Sequence, residues 1–474
     1  MKILLTGTTG YIGKRLLPVL LDAGHHVVCC VRDKNRFDAG FYESDRVSVV
    51  EVDFLDAASL AAIPADLDAA YYLIHSMSAA VDNFGSLEET CARNFRERLQ
   101  QTAVRQVIYL GGIANDGELS KHLRSRLQVE DQLRSDAYAL TTLRAGIIIG
   151  SGSASFEIMR DLVEKLPVMV APKWLKTHSQ PIAIRNVLQF LSGVLLNEKT
   201  FGNRYDIGGP EILTYKEMLL EFAAVRGLRR TIITVPVMTP RLSSYWLYFV
   251  TSTYFKLAVN LVNSMKVEVV GKPNTLHETL GIELISYRQA VRLAFDKIAH
   301  QEVLSSWTDA QSSAVLAGGI YKLIEVPTYG CFTDRRRKAL TNRAQTLERI
   351  WRIGGKTGWY YANWLWSVRG FLDKLVGGVG LRRGRKSPTR ISAGDSLDFW
   401  RVLYADKDEG RLLLYAEMKL PGEAWLEFRV KGDQLLQTAT FRPLGLLGRL
   451  YWYSVLPFHA FIFEGMINKI AGKK

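Results

Sequence analysis

The chain has only four cysteines, and Cys29, Cys30, Cys91 and Cys331 stand at none of the spacings that hold a zinc ion or an iron–sulfur cluster. Cys29 and Cys30 are neighbours in a strand-like run, so their side chains point to opposite faces and cannot bridge each other. Nothing in this usage calls for an oxidising compartment. Long hydrophobic runs are also missing. The longest uncharged apolar stretches, Leu242–Phe255 and Leu450–Phe463, are 14 residues each. As helices they would reach about 21 Å, short of the roughly 30 Å hydrocarbon core of a bilayer. Met1-Lys2 runs directly into a strand pattern and leaves no room for a signal peptide, so the expected location is cytoplasmic.

Acidic residues are scarce toward the C-terminus. Residues 321–474 hold 27 of the 61 basic and 14 of the 47 acidic residues, a net of +13 out of +14 for the whole chain. The bases gather at Arg335-Arg336-Arg337-Lys338 and at Arg382-Arg383-Gly384-Arg385-Lys386. Such clusters are either a solvated face or a site for anions, with anionic lipid headgroups at the inner face of the membrane as candidates. No recognition motif accompanies the charge, so nucleic acid is not expected.

At 474 residues, with 48% hydrophobic and 23% charged, the chain exceeds one ordinary core and reads as at least two domains. Apolar runs at 2–7, 27–31, 47–52, 69–74, 106–110 and 140–149 alternate with helical patterns at 12–23, 87–103 and 119–134. That alternation predicts a parallel sheet covered on both faces. Residues 151–300, with Pro-punctuated loops and an aromatic stretch near Tyr245–Leu261, read as a substrate lobe of the same domain. Residues 301–339 read as a linker and 340–474 as a second domain. The latter has a Trp-rich segment (351–375), four strand-like runs (396–404, 411–418, 424–430 and 434–441) and a helix over 446–470 interrupted at Pro457. The fold class is therefore α/β, a Rossmann-type sheet with its lobe, followed by an α+β domain.

Between the first strand and first helix stands Thr6-Gly7-Thr8-Thr9-Gly10-Tyr11-Ile12-Gly13. Gly7 permits a tight turn, Gly10 lets backbone approach a pyrophosphate, and Gly13 lets helix and strand pack closely. The phosphates of a dinucleotide would lie on the N–H groups of Thr9 to Gly13 at the helix start. The second strand ends in Arg32, where an acidic residue would bind the 2′-hydroxyl of NAD; an Arg suits the 2′-phosphate of NADP. NADP is the expected cofactor, ahead of NAD, and Lys14, Arg15 and Arg36 could add positive charge nearby. Asp53-Phe54 after the third strand would flank the adenine, and His75 after the fourth would approach the nicotinamide.

These residues, with Leu143-Arg144-Ala145-Gly146 and Tyr205-Asp206-Ile207-Gly208-Gly209-Pro210-Glu211, resemble the atypical and extended short-chain dehydrogenase/reductases, in their NmrA-like branch, over about residues 1–300. Residues 340–474, through Trp351, Trp366, Gly394-Asp395, Pro421-Gly422 and Tyr451-Trp452-Tyr453, are similar to an appended domain of unknown function. That domain looks like the helix-grip (SRPBCC, START-like) fold. The resemblance implies an enclosed apolar ligand there.

It also implies a Ser or Thr after the fifth strand and a Tyr-x-x-x-Lys on the next helix, and this chain has neither. The fifth strand ends Tyr109-Leu110-Gly111-Gly112, and the positional match to the Tyr and Lys is His122 and Arg126. His122 could shuttle a proton at neutral pH, whereas Arg126 could hold ribose hydroxyls but not relay protons. Ser76 is the nearest spare hydroxyl. Both helix residues fit an exposed face equally well. His459, among Phe458, Phe461 and Phe463, reads as a satisfied core histidine, and Trp351, Trp359, Trp364 and Trp366 read as core packing. Two functions compete: an NADP-dependent oxidoreductase acting on an apolar small molecule, and a non-catalytic NADP-binding sensor or assembly factor. Either could sit peripherally on an anionic membrane.

Overall fold

The computed structural model describes residues 1–32, 34, 37, 44–74, 84–114, 121–235, 259, 262, 265–299, 326, 331–380, 385 and 390–472. The side chains of 84–85, 121–124, 165, 173–174, 297–299 and 445 are outside that description. The chain divides into two compact units, the first essentially residues 1–315 and the second 316–474.

The first unit is built on seven parallel strands: β1 (Lys2–Leu5), β2 (His26–Val31), β3 (Val47–Glu51), β4 (Ala69–Tyr72), β5 (Gln106–Gly112), β6 (Ala139–Ala145) and β7 (Arg204–Ile207). Their order is β7-β6-β5-β4-β1-β2-β3. Successive residues serve opposite layers, as a twice-buried sheet requires. Ile3, Leu5, Val27 and Cys29 pack with Leu16, Leu17 and Leu20 of α1 (Gly13–Asp22) and with Val187, Phe190 and Leu191, which α5 (Ile184–Gly193) carries. Leu4, Val28, Cys30 and Val107 pack with Phe95 and Leu99 of α2 (Phe84–Leu99) and Val129 and Leu133 at α3 (Lys121–Gln132). The two cysteines thus lie on opposite faces.

β7 is the strand of this sheet that the apolar runs missed, because Arg-Tyr-Asp-Ile carries two charges in four residues. The run read as one strand over 140–149 breaks at Gly146, where any Cβ would crowd Gln180 O and Val269. Its end, Ile148–Ile149, pairs instead with Ile182–Ala183. In the lobe, α4 (Ala154–Lys165), α6 (Tyr215–Val225) and α7 (Tyr287–Ala299) meet through Phe156, Phe222 and Phe295, with ring centroids 5.2–5.4 Å apart. Thr214 and Glu217 close a capping box on α6. Residues 245–258 of the aromatic stretch lie outside the described residues.

The second unit is a six-stranded antiparallel sheet: β8 (Phe332–Ala339), β9 (Ser396–Leu397), β10 (Trp400–Asp406), β11 (Arg411–Ala416), β12 (Gly422–Lys431) and β13 (Gln434–Pro443), in the order β8-β13-β12-β11-β10-β9. Three helices accompany it, α8 (Arg343–Ile350), α9 (Asn363–Leu375) and α10 (Gly445–Ala471). β8 lies inside the span read as linker. Its composition hid it: Thr-Asp-Arg-Arg-Arg-Lys offers no apolar alternation, yet it pairs with β13 along its whole length. The basic cluster is consequently split by the pleat. Arg336 and Lys338 bond Glu464 at 2.7 and 2.6 Å, and Arg336 also bonds Asp334, whereas Arg335 and Arg337 face solvent. Of the second cluster, Arg385 donates to the carbonyls of Ile353 and Trp351, and the rest lies outside the described residues.

α10 runs through Pro457 without a break. Pro457 and Tyr453, whose carbonyl loses its i+4 donor, are both exposed, so water can satisfy that carbonyl. The core beneath holds Phe463, Met466, Ile467 and Ile470 from α10 against Trp359, Phe399, Trp400, Leu414 and Leu426. Trp351, Trp359 and Trp366 are buried as expected; Trp364 is 66% exposed. Trp359 Nε1 donates to Asp398 at 2.7 Å, and burial pushes that carboxyl up to about 6 against the lowering effect of the indole bond. A raised carboxyl pKa favours folding only while the group is protonated. This contribution is therefore full below about pH 4 and lost as pH rises through 6, worth roughly 2–3 kcal/mol. Asp398→Asn keeps an acceptor for Trp359 and removes the charge. It should raise the melting temperature of this unit at pH 8 and leave it unchanged at pH 4, as calorimetry would show.

Candidate functional site

The turn after β1 has the geometry its glycines predict. Gly7 adopts φ +63°, and a Cβ there would come within 2.5 Å of Leu73 O. A Cβ on Gly13 would press into Gly7 O and lie 2.9 Å from Thr8 Cα, so only glycine lets α1 sit this close to β1. Thr6 Oγ1 donates to Tyr71 O and accepts from Leu73 N, both at 3.0 Å, and Thr8 Oγ1 donates to Leu5 O at 2.8 Å. The loop is rigid and tied to β1 and β4. α1 begins at Ile12 with no side-chain cap and no acidic residue in its first turn. Its amide end therefore faces outward as an anion cradle, with Thr9 and Gly10 half-exposed before it. The donor set fits a dinucleotide pyrophosphate.

Arg15, read as added positive charge for the phosphates, turns inward. It is buried, donates to Tyr11 O and Ser151 O at 3.0 and 2.8 Å, and stacks on the Tyr11 ring at 3.9 Å. Tyr11 is wedged against Gly150, and burial pushes its phenol up to about 12. Of Tyr11, only the backbone is available to phosphate. Of the other two bases, Lys14 is half-buried in the first turn of α1, and Arg36 lies outside the described residues.

Arg32 is exposed immediately after β2, beside the cradle. Asp53 shares its surroundings: both act electrostatically on Cys91, whose thiol burial pushes up to about 12. Ser59 and the Leu55 amide hold the Asp53 loop through bonds of 2.8–3.1 Å. Phe54 does not reach the site with its ring. It is 7% exposed, packed 5.9 Å from Phe95 in the core, and Asn94 bonds its carbonyl. Any flanking of the adenine by Asp53-Phe54 therefore falls to Asp53 and to the backbone of Phe54.

His75 and Ser76 lie outside the described residues, as does the side chain of His122, whose backbone sits in the first turn of α3. Arg126 is placed. A Cβ on Gly112 would come within 2.5 Å of Arg126 Nη1 and 3.1 Å of its Cδ, so the guanidinium occupies the space at the end of β5 that glycine leaves open. Tyr109 donates to Arg126 O at 3.2 Å, and Ser125 donates to the buried Glu88 at 2.6 Å, fixing α3 against β5 and α2. Burial raises the Tyr109 phenol, so it is no acid or base at neutral pH.

At the outer end of the same sheet edge, Arg144 of β6 and Asp206 of β7 are register partners bonded at 2.6 Å, both 7% exposed. Asp206 also accepts from Lys272 N at 2.9 Å, and its carbonyl accepts from Asn274. Sequence reasoning quoted both residues but missed their pairing. The signal was thin: Arg144 is the one charge in its apolar run, but Asp206 lies in a strand, Arg204–Ile207, that the apolar pattern did not show.

Residues 7–154 match the family described as "NAD(P)H-binding", and residues 330–466 match the family described as "Protein of unknown function (DUF2867)". No curated protein matches the sequence. Among solved structures, triphenylmethane reductase of Citrobacter sp. complexed with NADP(H) is similar at 17% identity and TM-score 0.51, over 62% of this chain and 100% of that one. A nucleoside-diphosphate-sugar epimerase of Staphylococcus aureus is similar at 15% identity and TM-score 0.50, over 62% and 100%. Residues 7–154 of the first unit thus carry the NAD(P)H-binding match, and the unit shares the fold of that reductase and that epimerase. The second unit carries the other match, and among the described residues no helix is long and apolar enough to cross a membrane.

Proposed function

We propose that the chain is an NADP-dependent oxidoreductase acting on an apolar small molecule. The observation that carries this reading is the exposed Arg32 where an acidic ribose ligand would stand, beside an intact glycine cradle. NADPH would supply a hydride, with its pyrophosphate on the start of α1 and its 2′-phosphate at Arg32. Arg126, over Gly112, would hold the nicotinamide ribose. His122 would move the proton, with Ser76 next in line, and His75 would lie beside the ring. The solved reductase of like fold, complexed with NADP(H), supports an apolar substrate by analogy alone.

Calorimetric titration tests the cofactor. NADPH should bind at least tenfold more tightly than NADH, and Arg32→Ala should erase that preference. Equal affinities in the unaltered protein would sink the reading. Gly111-Gly112, in place of a hydroxyl, favours the second reading, a non-catalytic NADP-binding sensor. An NADPH-bound protein without turnover on any apolar carbonyl or imine would establish it. If turnover exists, His122→Ala should abolish it while leaving nucleotide affinity intact.

The second unit supports docking at an anionic membrane surface. Leu446, Leu447, Leu450, Phe458 and Phe461 of α10 and Phe371 of α9 are each more than half exposed. Arg335, Arg337 and Arg449 are exposed on the same unit. Apolar side chains with flanking bases suit an interfacial surface, at about 1 kcal/mol per base near anionic lipid. Sedimentation with phosphatidylserine vesicles should exceed that with phosphatidylcholine and fall with salt; equal sedimentation contradicts the docking.

A further inference from the structure

Between the sheet of the second unit and its helices α9 and α10 lies a cavity of about 250 Å³. Its wall is mainly hydrocarbon and aromatic, including Leu365, Met418, Ala424, Phe441, Val455 and Ile462. Trp366, Trp400 and His459 also line it. Among the described residues, Trp366 Nε1, Trp400 Nε1 and His459 Nδ1 are buried without a hydrogen-bond partner. Both indoles are more than nine-tenths buried.

Thr346 Oγ1 and the Gln437 amide of this unit are also buried without a partner, away from the lining, so the two indoles are best set against the third indole of their cluster. Trp359, which packs 5.1 Å from Trp366 and 6.0 Å from Trp400, has its Nε1–H satisfied by Asp398. Buried indole N–H groups ordinarily find an acceptor, because leaving one without a partner costs the desolvation of that group. Both unsatisfied indoles belong to residues that line the cavity. His459 joins them rather than being the satisfied core residue its sequence context suggested. Its ring is held edge-on by Trp452 and Phe463, 5.1 and 4.6 Å away. Burial lowers its pKa to about 4, with Arg369 and Arg336 adding to that effect and Asp334 opposing it, so it is neutral at pH 7. The wall also carries Arg369, which lies over the Tyr451 ring.

The indoles and the guanidinium can only donate, and a neutral imidazole has one donor and one acceptor nitrogen. An occupant must therefore bring acceptor oxygen to one end and hydrocarbon to the remainder. Val368, Leu372 and Phe458 line the cavity while being about half exposed, so it opens through an apolar rim. A hydrated sugar or nucleotide would have to shed its water there without replacement partners.

We infer that this cavity binds a compact apolar molecule ending in a carbonyl or carboxylate oxygen, which Trp366 and Trp400 hold by their indole N–H groups. The inference rests on, and sharpens, the apolar-ligand reading above.

The full chain, labelled with [15N]tryptophan, gives ten indole resonances to follow, one per tryptophan. Three probes of equal length are added: 2-nonanone, nonanoate and 1-chlorononane. The ketone or the carboxylate should move two indole N–H resonances downfield, and Trp366→Phe and Trp400→Phe should each delete one of them and weaken binding about tenfold. The chloroalkane should bind more weakly and leave those protons in place. Which of ketone and carboxylate binds better identifies the oxygen. Ala424→Phe, which fills the cavity, should abolish binding while NADPH binding by the first unit reports an intact chain. Equal binding of all three probes with the indole protons unmoved overturns the oxygen inference and keeps the apolar-ligand reading. No binding of any probe, with NADPH binding intact, overturns both.

Discussion

Asp206→Ala is expected to destabilise the first unit by about 3–5 kcal/mol, because it strands a buried cation. Arg144 is 7% exposed, and Asp206 is its bidentate partner through Nε and Nη2, both 2.6 Å from Oδ1. Removing the carboxylate leaves a desolvated guanidinium, and it also frees the amide of Lys272 that Oδ2 holds. Arg144→Met with Asp206→Leu should recover most of the loss, since two apolar side chains of similar size bury without a desolvation cost. Urea denaturation of the single and double variants measures this directly. A loss under 1 kcal/mol for Asp206→Ala would mean that the pair contributes no more than a surface bridge. The expected loss is large because β7 is an edge strand of four residues. It is paired on one side alone, with β6.

Gly13→Val should weaken nucleotide binding by about 100-fold, equivalent to roughly 3 kcal/mol, and cost a further ~1–3 kcal/mol of stability through overpacking. The added Cβ has no space to enter. It meets the carbonyl of Gly7 and the Cα of Thr8, which are backbone and cannot rotate away. Relief requires α1 to move off β1, and that carries its amide end away from the phosphates it would hold. Gly10→Ala is the control. Its Cβ meets only Gly7 O, at 3.0 Å, so it should fold normally and weaken binding less. If Gly13→Val bound nucleotide like the parent chain, the phosphates would not lie on the start of α1.

The sheet was legible because its physics is local. Strands buried on both faces are short and uniformly apolar, and the glycines of the first turn are forced by sterics that any reader of Gly7–Gly13 can apply. The parts that were hidden depend on partners distant in sequence. β8 is charged and gave no alternation, since its identity as a strand comes from the full-length pairing with β13. Arg15 reads as a cation near the phosphates, and its bonds to the carbonyls of Tyr11 and of Ser151, 136 residues away, turn it inward. Asp53-Phe54 reads as flanking the adenine; the burial of the Phe54 ring against Phe95 is decided by α2. In the catalytic region, the missing Tyr-x-x-x-Lys was visible at once. That Gly112 makes room for Arg126 was not, because a glycine at a strand end says nothing about what fills the space beside it.

The account turns on nucleotide held at the start of α1, and native mass spectrometry of the purified full chain tests it most directly. The expected spectrum shows one NADP(H) per chain, present on purification or after adding NADPH, and absent from Gly13→Val under the same conditions. A chain that stays free of nucleotide in millimolar NADPH, or a Gly13→Val chain that carries as much as its parent, would contradict it.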